Sequence, residues 1–243
     1  MTPGQACLSV SGLTKSYGGV AANRAISFSV KSGEIFGVIG PNGAGKTTLF
    51  NLLSGFERPD MGSTEFEGKD VTGLRPDRLN RLGIARTFQI MKPFHRMTVE
   101  ENVMIGALPR SSGLAEARER AQYCIALVGL EEKTNMLANE LSTGQRKRLE
   151  MARAMATSPK LLLLDEITGG VDLPNVRGLV ELVGKLRNEG ITLLIIEHNI
   201  RVIMQLADRV MFLHLGEKMA EGTPSEVASN PEVRRLYLGA GHA

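Results

Sequence analysis

The sequence predicts an α/β fold built on a buried, largely parallel sheet. Three short apolar runs, at 35–39, 161–164 and 193–196, carry the first part of that prediction. Each is too short for a typical helix and lacks the polar alternation of a half-exposed strand, so each is predicted as a strand buried on both faces. Segments with helical start and stop signals lie between these runs, and strands that alternate with helices specify an α/β architecture.

Taken in chain order, 8–13 and 26–30 read as short antiparallel strands. The apolar strand at 34–39 is followed by a helix over 46–53 that Gly55 ends. A further strand is expected over 84–88. Capping boxes Thr98-x-x-Glu101, Ser142-x-x-Gln145 and Thr223-x-x-Glu226 place helix starts near 98, 142 and 223, because each end residue can satisfy the other's backbone N–H. Residues 98–157 are then mostly helical, with 114–128 closed by Gly129 and 142–156 stopped before Pro159. Asp172 and Pro174 mark the start of a helix over 175–187 that ends at Gly190, and a buried strand follows over 191–196. Residues 210–213 and 218–220, around Gly216, read as a short antiparallel pair. The sequence shows no internal repeat and no low-complexity linker.

Composition excludes several classes. The 243 residues hold 29 Lys+Arg against 26 Asp+Glu, a formal charge of +3. That balance lacks the concentrated positive charge of a dedicated nucleic-acid binder, and no nucleic-acid partner is expected. Cys7 and Cys124 lie far apart with no Cys-x-x-Cys spacing, which argues against zinc and against a secreted disulfide scaffold. No run approaches the ~18 apolar residues that a membrane span needs, and residues 1–15 lack a basic start followed by an apolar stretch. The chain is expected to be cytoplasmic, with any membrane link made through a partner.

The chemistry is expected at the ends of the predicted strands. Gly40-Pro41-Asn42-Gly43-Ala44-Gly45-Lys46-Thr47 follows the first apolar strand and opens a helix, the context that a G-x-x-x-x-G-K-[ST] phosphate loop requires. Its glycines let the backbone turn so that successive N–H groups point at phosphate oxygens, and the helix adds its positive end. Lys46 is placed to reach the β and γ phosphates, and Thr47 to offer its hydroxyl to Mg²⁺. Asp165 and Glu166 follow the strand at 161–164, at the carboxyl edge where open α/β sheets bind ligands. Asp165 suits Mg²⁺, directly or through a water; Glu166 suits a group that orients or deprotonates a water attacking the γ-phosphate. His198 follows the strand at 191–196 and reads as a γ-phosphate contact. Gln89 follows 84–88, where an amide can ligate Mg²⁺ or its water, although taken alone the residue reads better as a plain polar loop residue. Ser142 and Gln145 cap a helix whose Arg146, Lys147 and Arg148 fit a solvated face, yet that helix start is also an anion site for a phosphate of unnamed origin.

Over essentially its whole length this set resembles the ATP-binding subunit of ABC transporters. Gly40 to Thr47 resembles the Walker A loop and Gln89 the Q-loop glutamine. Leu141 to Gln145 resembles the signature motif, Asp165 and Glu166 the Walker B end, Asp172 the D-loop aspartate and His198 the switch histidine. Tyr17 resembles the aromatic that stacks on adenine, and Thr48 joins the nucleotide-binding set with the loop. The resemblance implies ATP and Mg²⁺ as ligands, with Glu166 and His198 catalytic and Thr47, Gln89 and Asp165 at the metal. It implies one domain over 1–243: a nucleotide-binding core with a β subdomain from 1–88 and 160–243, and a helical subdomain over 89–159. It further implies two cassettes closing head to tail, with Ser142, Thr143, Gly144 and Gln145 acting on the partner's ATP.

Arg86-Thr-Phe-Gln89, 98–103, Ile196-Glu-His-Asn199 and Tyr237-Leu-Gly239 are most similar to the branched-chain amino acid uptake group. The resemblance therefore implies a second ABC ATPase subunit, as homodimer or heterodimer, transmembrane permease subunits, and indirectly a periplasmic or extracellular solute-binding protein. The subunit would lie peripherally on the inner face of the cell membrane. Met91, Phe94 and Met97 are candidates to receive a membrane-subunit helix, or else pack the helical insert. Two positions depart from the family pattern: Thr143 stands where the first glycine of L-S-G-G-Q is usual, and Ile167 where proline usually follows the glutamate. A soluble ABC-type ATPase acting on nucleic acid or ribosomes, and an ATP-dependent assembly switch, are the competing readings.

Overall fold

The computed structural model describes residues 6–88 and 93–238, without the side chains of residues 173, 174, 237 and 238. Two sheets organise it. A six-stranded sheet has the order β10 (Glu217–Gly222), β9 (Arg209–His214), β3 (Ile35–Ile39), β8 (Thr192–Ile196), β7 (Leu161–Asp165), β6 (Ile84–Arg86). All of its neighbours run parallel except β10, which pairs antiparallel with β9. A four-stranded antiparallel sheet has the order β2 (Val20–Lys31), β1 (Ala6–Tyr17), β4 (Met61–Phe66), β5 (Lys69–Asp70).

The apolar runs are strands for the reason expected: every residue of β3, β7 and β8 is buried. Alternate side chains enter two separate cores, one on each face of the six-stranded sheet. Ile35, Leu162, Leu164, Leu193, Ile195 and Phe212 face the helices α3 (Val99–Ala107), α4 (Leu114–Leu127), α5 (Thr143–Ala156) and α6 (Leu173–Asn188). Phe36, Val38, Leu161, Leu163, Leu194 and Leu213 face the antiparallel sheet and α1 (Lys46–Leu53).

Helices α3 to α5 are inserted between β6 and β7, and the two capping boxes expected within this insert form. Thr98 caps α3 with Glu101, and Ser142 caps α5 with Gln145. Gly106 lets α3 lie close on α5, since a Cβ there would stand 2.4 Å from the Arg153 carbonyl oxygen. After β8 come α7 (Ile200–Leu206), then α8 (Pro224–Ser229), capped by Thr223 and Glu226, and α9 (Pro231–Leu238).

Several elements differ from the sequence expectation. The strand at 210–213 is paired antiparallel to β10, as expected, and on its other edge lies parallel to β3, which makes it part of the central sheet. The strands β4 and β5, the helix α2 (Pro76–Leu82) and α9 were not expected. Arg146, Lys147 and Arg148 do not share a solvated face: Lys147 is buried, at 4 % exposure.

Candidate active site

The loop between β3 and α1 is shaped by close backbone approach. Gly40 has φ +153 and Gly45 φ +99; an added Cβ would lie 2.1 Å from the Leu213 carbonyl oxygen at the first and 2.2 Å from that of Ala22 at the second. No other residue fits either position, so β9 and β2 press the loop from two sides. Asn23 of β2 adds a hydrogen bond from Nδ2 to the Gly45 carbonyl at 3.2 Å. Gly45 is also the N-cap of α1, and no side chain caps that terminus, which leaves the positive end of the helix facing the loop. Lys46 is buried and its Nζ donates to the carbonyls of Gly40, at 2.7 Å, and Pro41, at 2.9 Å. Burial lowers the Lys46 pKa, opposed by the carboxylates of Glu166 and Asp165, so the loop lysine and the two strand-end acids share one electrostatic neighbourhood.

Tyr17 lies half exposed at the end of β1, with its hydroxyl bonded to Glu57 and the Thr48 side chain beside it. Burial and the Glu57 carboxylate raise its pKa. The aromatic is thus adjacent to the first turn of α1.

At the carboxyl edge of the central sheet, Asp165 ends β7 and accepts a hydrogen bond from Arg86 Nη2 at 2.9 Å. Arg86 also donates through Nη1 to Asn51 and Ser54, and it lies among the rings of Phe50, Phe56 and Phe88. Glu166 follows with φ +50, a left-handed conformation that costs a non-glycine residue about 1–2 kcal/mol. Its backbone is held at both ends: the N–H donates to the Ile196 carbonyl at 3.0 Å, and the carbonyl accepts from Gly169 N at 3.2 Å and Lys147 Nζ at 2.8 Å. This conformation puts Glu166 Oε1 2.7 Å from His198 Nε2. In the Nε2–H tautomer the imidazole donates and fixes the carboxylate's direction.

The turn after Glu166 is pinned from the histidine side. Glu197, buried at the end of β8, accepts from Thr168 N at 2.8 Å and from Thr168 Oγ1 at 3.0 Å. Asp172 is the N-cap of α6, and its carboxylate accepts from Asn175 Nδ2 at 2.6 Å in place of a backbone N–H. Ser142 and Gln145 satisfy each other, with Ser142 N donating to Gln145 Oε1 at 2.9 Å and Gln145 N to Ser142 Oγ at 3.4 Å. Gly144 packs near Asn175 and Val171, and Thr143 is exposed beside Gly170.

Thr47, Asp165, Arg86 and Glu150 line a cavity of about 640 Å³ between the sheet edge and the α3–α5 insert. Hydroxyl and carboxylate oxygens are the ligands that Mg²⁺ takes while it keeps several waters, so the donor set fits that ion. The glycine-rich loop and the uncapped helix end likewise fit a polyphosphate. Gln89 and Met91 lie outside the described residues. The residue before them, Phe88, donates its N–H to Glu150 Oε1 at 2.6 Å. Phe94 is exposed under the Arg153 guanidinium, 4.9 Å from ring centroid to Cζ, and Met97 is partly buried.

Arg86, Lys147, Glu150 and Glu197 had no site role expected from the sequence. Three of them left a signal. Glu197 is a carboxylate directly after the apolar run 193–196, and Lys147, Glu150 and Arg153 form an i, i+3, i+6 row of alternating charge along α5.

A phosphate loop, an Asp-Glu strand end and a histidine just past β8, set in this two-sheet fold, define a nucleotide-hydrolysing cassette. The profile of the ABC transporter family matches residues 23–169, and the chain belongs to that family, whose ATP-binding cassettes are the ATPase subunits of transporters. A second profile, of the branched-chain amino acid ATP-binding cassette transporter, matches residues 217–243. The high-affinity branched-chain amino acid transport ATP-binding protein of Salmonella typhimurium is 38% identical over 97% of this chain and 98% of its own length. Its counterpart in Pseudomonas aeruginosa is 37% identical over 96% of this chain and 97% of its own. Among solved structures, the ADP conformation of an ATP-binding cassette of an ABC transporter superposes with TM-score 0.89 at 34% identity, covering 97% of this chain and 99% of that one. A dimeric bacterial ABC transporter cassette superposes with TM-score 0.81 at 29% identity, covering 89% and 98%. No helix among the described residues is long and apolar enough to cross a membrane.

Proposed function

We propose that this chain is the ATP-hydrolysing subunit of a membrane importer for branched-chain amino acids or related small polar solutes. The observation that carries the reading is the Glu166–His198 pair, 2.7 Å apart at the sheet edge and within the electrostatic reach of Lys46. In this reading the loop from Gly40 to Thr48 holds the phosphates of ATP, and Tyr17 takes the adenine face. Lys46 turns from the Gly40 and Pro41 carbonyls to the β and γ phosphates. Thr47, Asp165 and Gln89 hold Mg²⁺, which supplies charge neutralisation of the phosphate oxygens when bound. Glu166 accepts the proton of the attacking water, and His198 holds the Glu166 carboxylate in line and contacts the γ-phosphate.

The α5 N-terminus, with Ser142, Thr143, Gly144 and Gln145, completes the site of a second cassette closed head to tail, and Asp172 lies in the same interface. Residues 1–243 act as one ATPase domain, with 89–159 as the helical subdomain that meets the permease near Phe94. The transport names of the relatives support a complex with transmembrane permease subunits at the inner face of the membrane, fed by a solute-binding protein. They do not favour a role on nucleic acid or ribosomes, or as an assembly switch.

The test is uptake of labelled leucine, with the solute-binding protein supplied outside, into vesicles that hold the chain with its copurified membrane partners and internal ATP. Wild type should accumulate leucine, and Lys46→Ala should abolish both uptake and ATP binding through loss of a charge-assisted phosphate contact. Retained uptake by Lys46→Ala would overturn the reading.

A further inference from the structure

Helix α5 presents more than its N-terminus. Lys147, in its second turn, is buried, and its Nζ donates at 2.8 Å to the backbone carbonyl of Glu166. One turn further, Glu150 accepts the N–H of Phe88 at 2.6 Å. The two residues lie on the same side of the helix at i, i+3 spacing and attract one another. A single face of α5 therefore grips two pieces of the catalytic core: the left-handed residue that carries the carboxylate, and the stem that leads to Gln89.

The grip on Glu166 matters because its conformation is not self-sustaining. A left-handed φ at a glutamate persists only where the surroundings over-determine it. Here the N–H is fixed by β8, and the carbonyl by Gly169 and Lys147. Of these three, Lys147 alone belongs to the helical insert. Rotating the Glu166 peptide would swing Oε1 away from His198 Nε2.

We infer that Lys147 is a positioning residue: it ties the helix that begins at Ser142 to the same subunit's Glu166, so that a displacement of α5 re-aims that subunit's general base. The inference rests on the proposed role of Glu166. It gives the helix start that meets one ATP a mechanical connection to the base that acts on the other, a link within one chain between the two composite sites of the dimer.

The test is steady-state phosphate release by the full chain in its transporter complex, for wild type, Lys147→Met, Lys147→Arg and Glu166→Gln. Lys147→Met keeps the stem volume and removes the donor. Its kcat should fall about 10-fold with the ATP KM within about twofold of wild type, the pattern of an interaction needed in the transition state and not for binding. Lys147→Arg, which restores a donor, should recover most of the loss. Combined with Glu166→Gln, Lys147→Met should leave ATP-driven dimerisation as it is in Glu166→Gln alone. Wild-type kcat in Lys147→Met, with Glu166→Gln inactive, would overturn this inference and leave the role of Glu166 standing. A joint rise in KM and fall in kcat that arginine does not rescue would make Lys147 a packing residue. Full turnover in Glu166→Gln would overturn the role of Glu166 itself.

Discussion

Replacing Arg86 by methionine isolates the value of the ion pair beneath the site. The Arg86 and Asp165 side chains are 6% and 2% exposed and meet at 2.9 Å. Arg86 is further committed to Asn51 Oδ1 at 2.7 Å and Ser54 Oγ at 3.0 Å, both on the α1 side. Methionine preserves most of the stem among Phe50, Phe56 and Phe88 but leaves the Asp165 carboxylate buried without its cation. Removing one partner of a buried pair costs about 3–5 kcal/mol, because the remaining charge keeps its desolvation penalty and loses its compensation. For a chain of this length each kcal/mol moves the melting temperature by ~2–4 °C, so the midpoint should drop by roughly 6–20 °C. Calorimetry on the nucleotide-free protein reads this directly. The double variant Arg86→Met/Asp165→Asn removes the stranded charge and should recover at least half of the loss, since residues in one ion pair are not additive. A single-variant shift below ~2 °C would mean that the pair contributes no more than an exposed one.

Two further outcomes follow from packing and burial. Gly106→Ala places a Cβ 2.4 Å from the Arg153 carbonyl oxygen and forces α3 off α5, so urea titration should show a loss of about 1–3 kcal/mol; an unchanged midpoint would mean that the helices separate freely. Burial pushes the Cys124 thiol up to about 11 and raises that of Cys7, so at pH 8 roughly one Cys124 in a thousand is thiolate. Iodoacetamide should label both cysteines rapidly in urea and only slowly in the native protein, and fast native labelling would contradict their burial.

What was legible in the sequence is what depends on local chemistry or on full burial. Runs of uninterrupted apolar residues announce β3, β7 and β8 because both faces of those strands are covered. Ser142-x-x-Gln145 announces the start of α5 because the cap is made within four residues. The strand-loop-helix context announces the phosphate loop, and Glu166 and His198, called from two separate strand ends, meet in space.

Elements that depend on distant partners were not legible. In β4 only Thr64 and Phe66 are buried, so its apolar signal is too thin to distinguish it from a loop. The parallel edge of β9 is formed with a strand from the other end of the chain, at Ile39↔Phe212, and nothing in 210–213 encodes which neighbour it takes. Lys147 looks like one of three consecutive surface cations until the turn at Glu166 is folded beneath it. Its burial is a property of the α5–β7 arrangement and not of its sequence neighbours.

In the proposed cycle two copies of this cassette close on ATP through the α5 N-terminus and reopen when Glu166 completes hydrolysis. The most direct test is the mass of purified Glu166→Gln protein, by light scattering after size exclusion, with and without ATP-Mg²⁺. The protein should be a monomer without nucleotide, a dimer with it, and a monomer under both conditions when Lys46→Ala is added. A Glu166→Gln protein that binds ATP and stays monomeric would contradict closure of Ser142 to Gln145, Thr143 included, on a second copy's nucleotide.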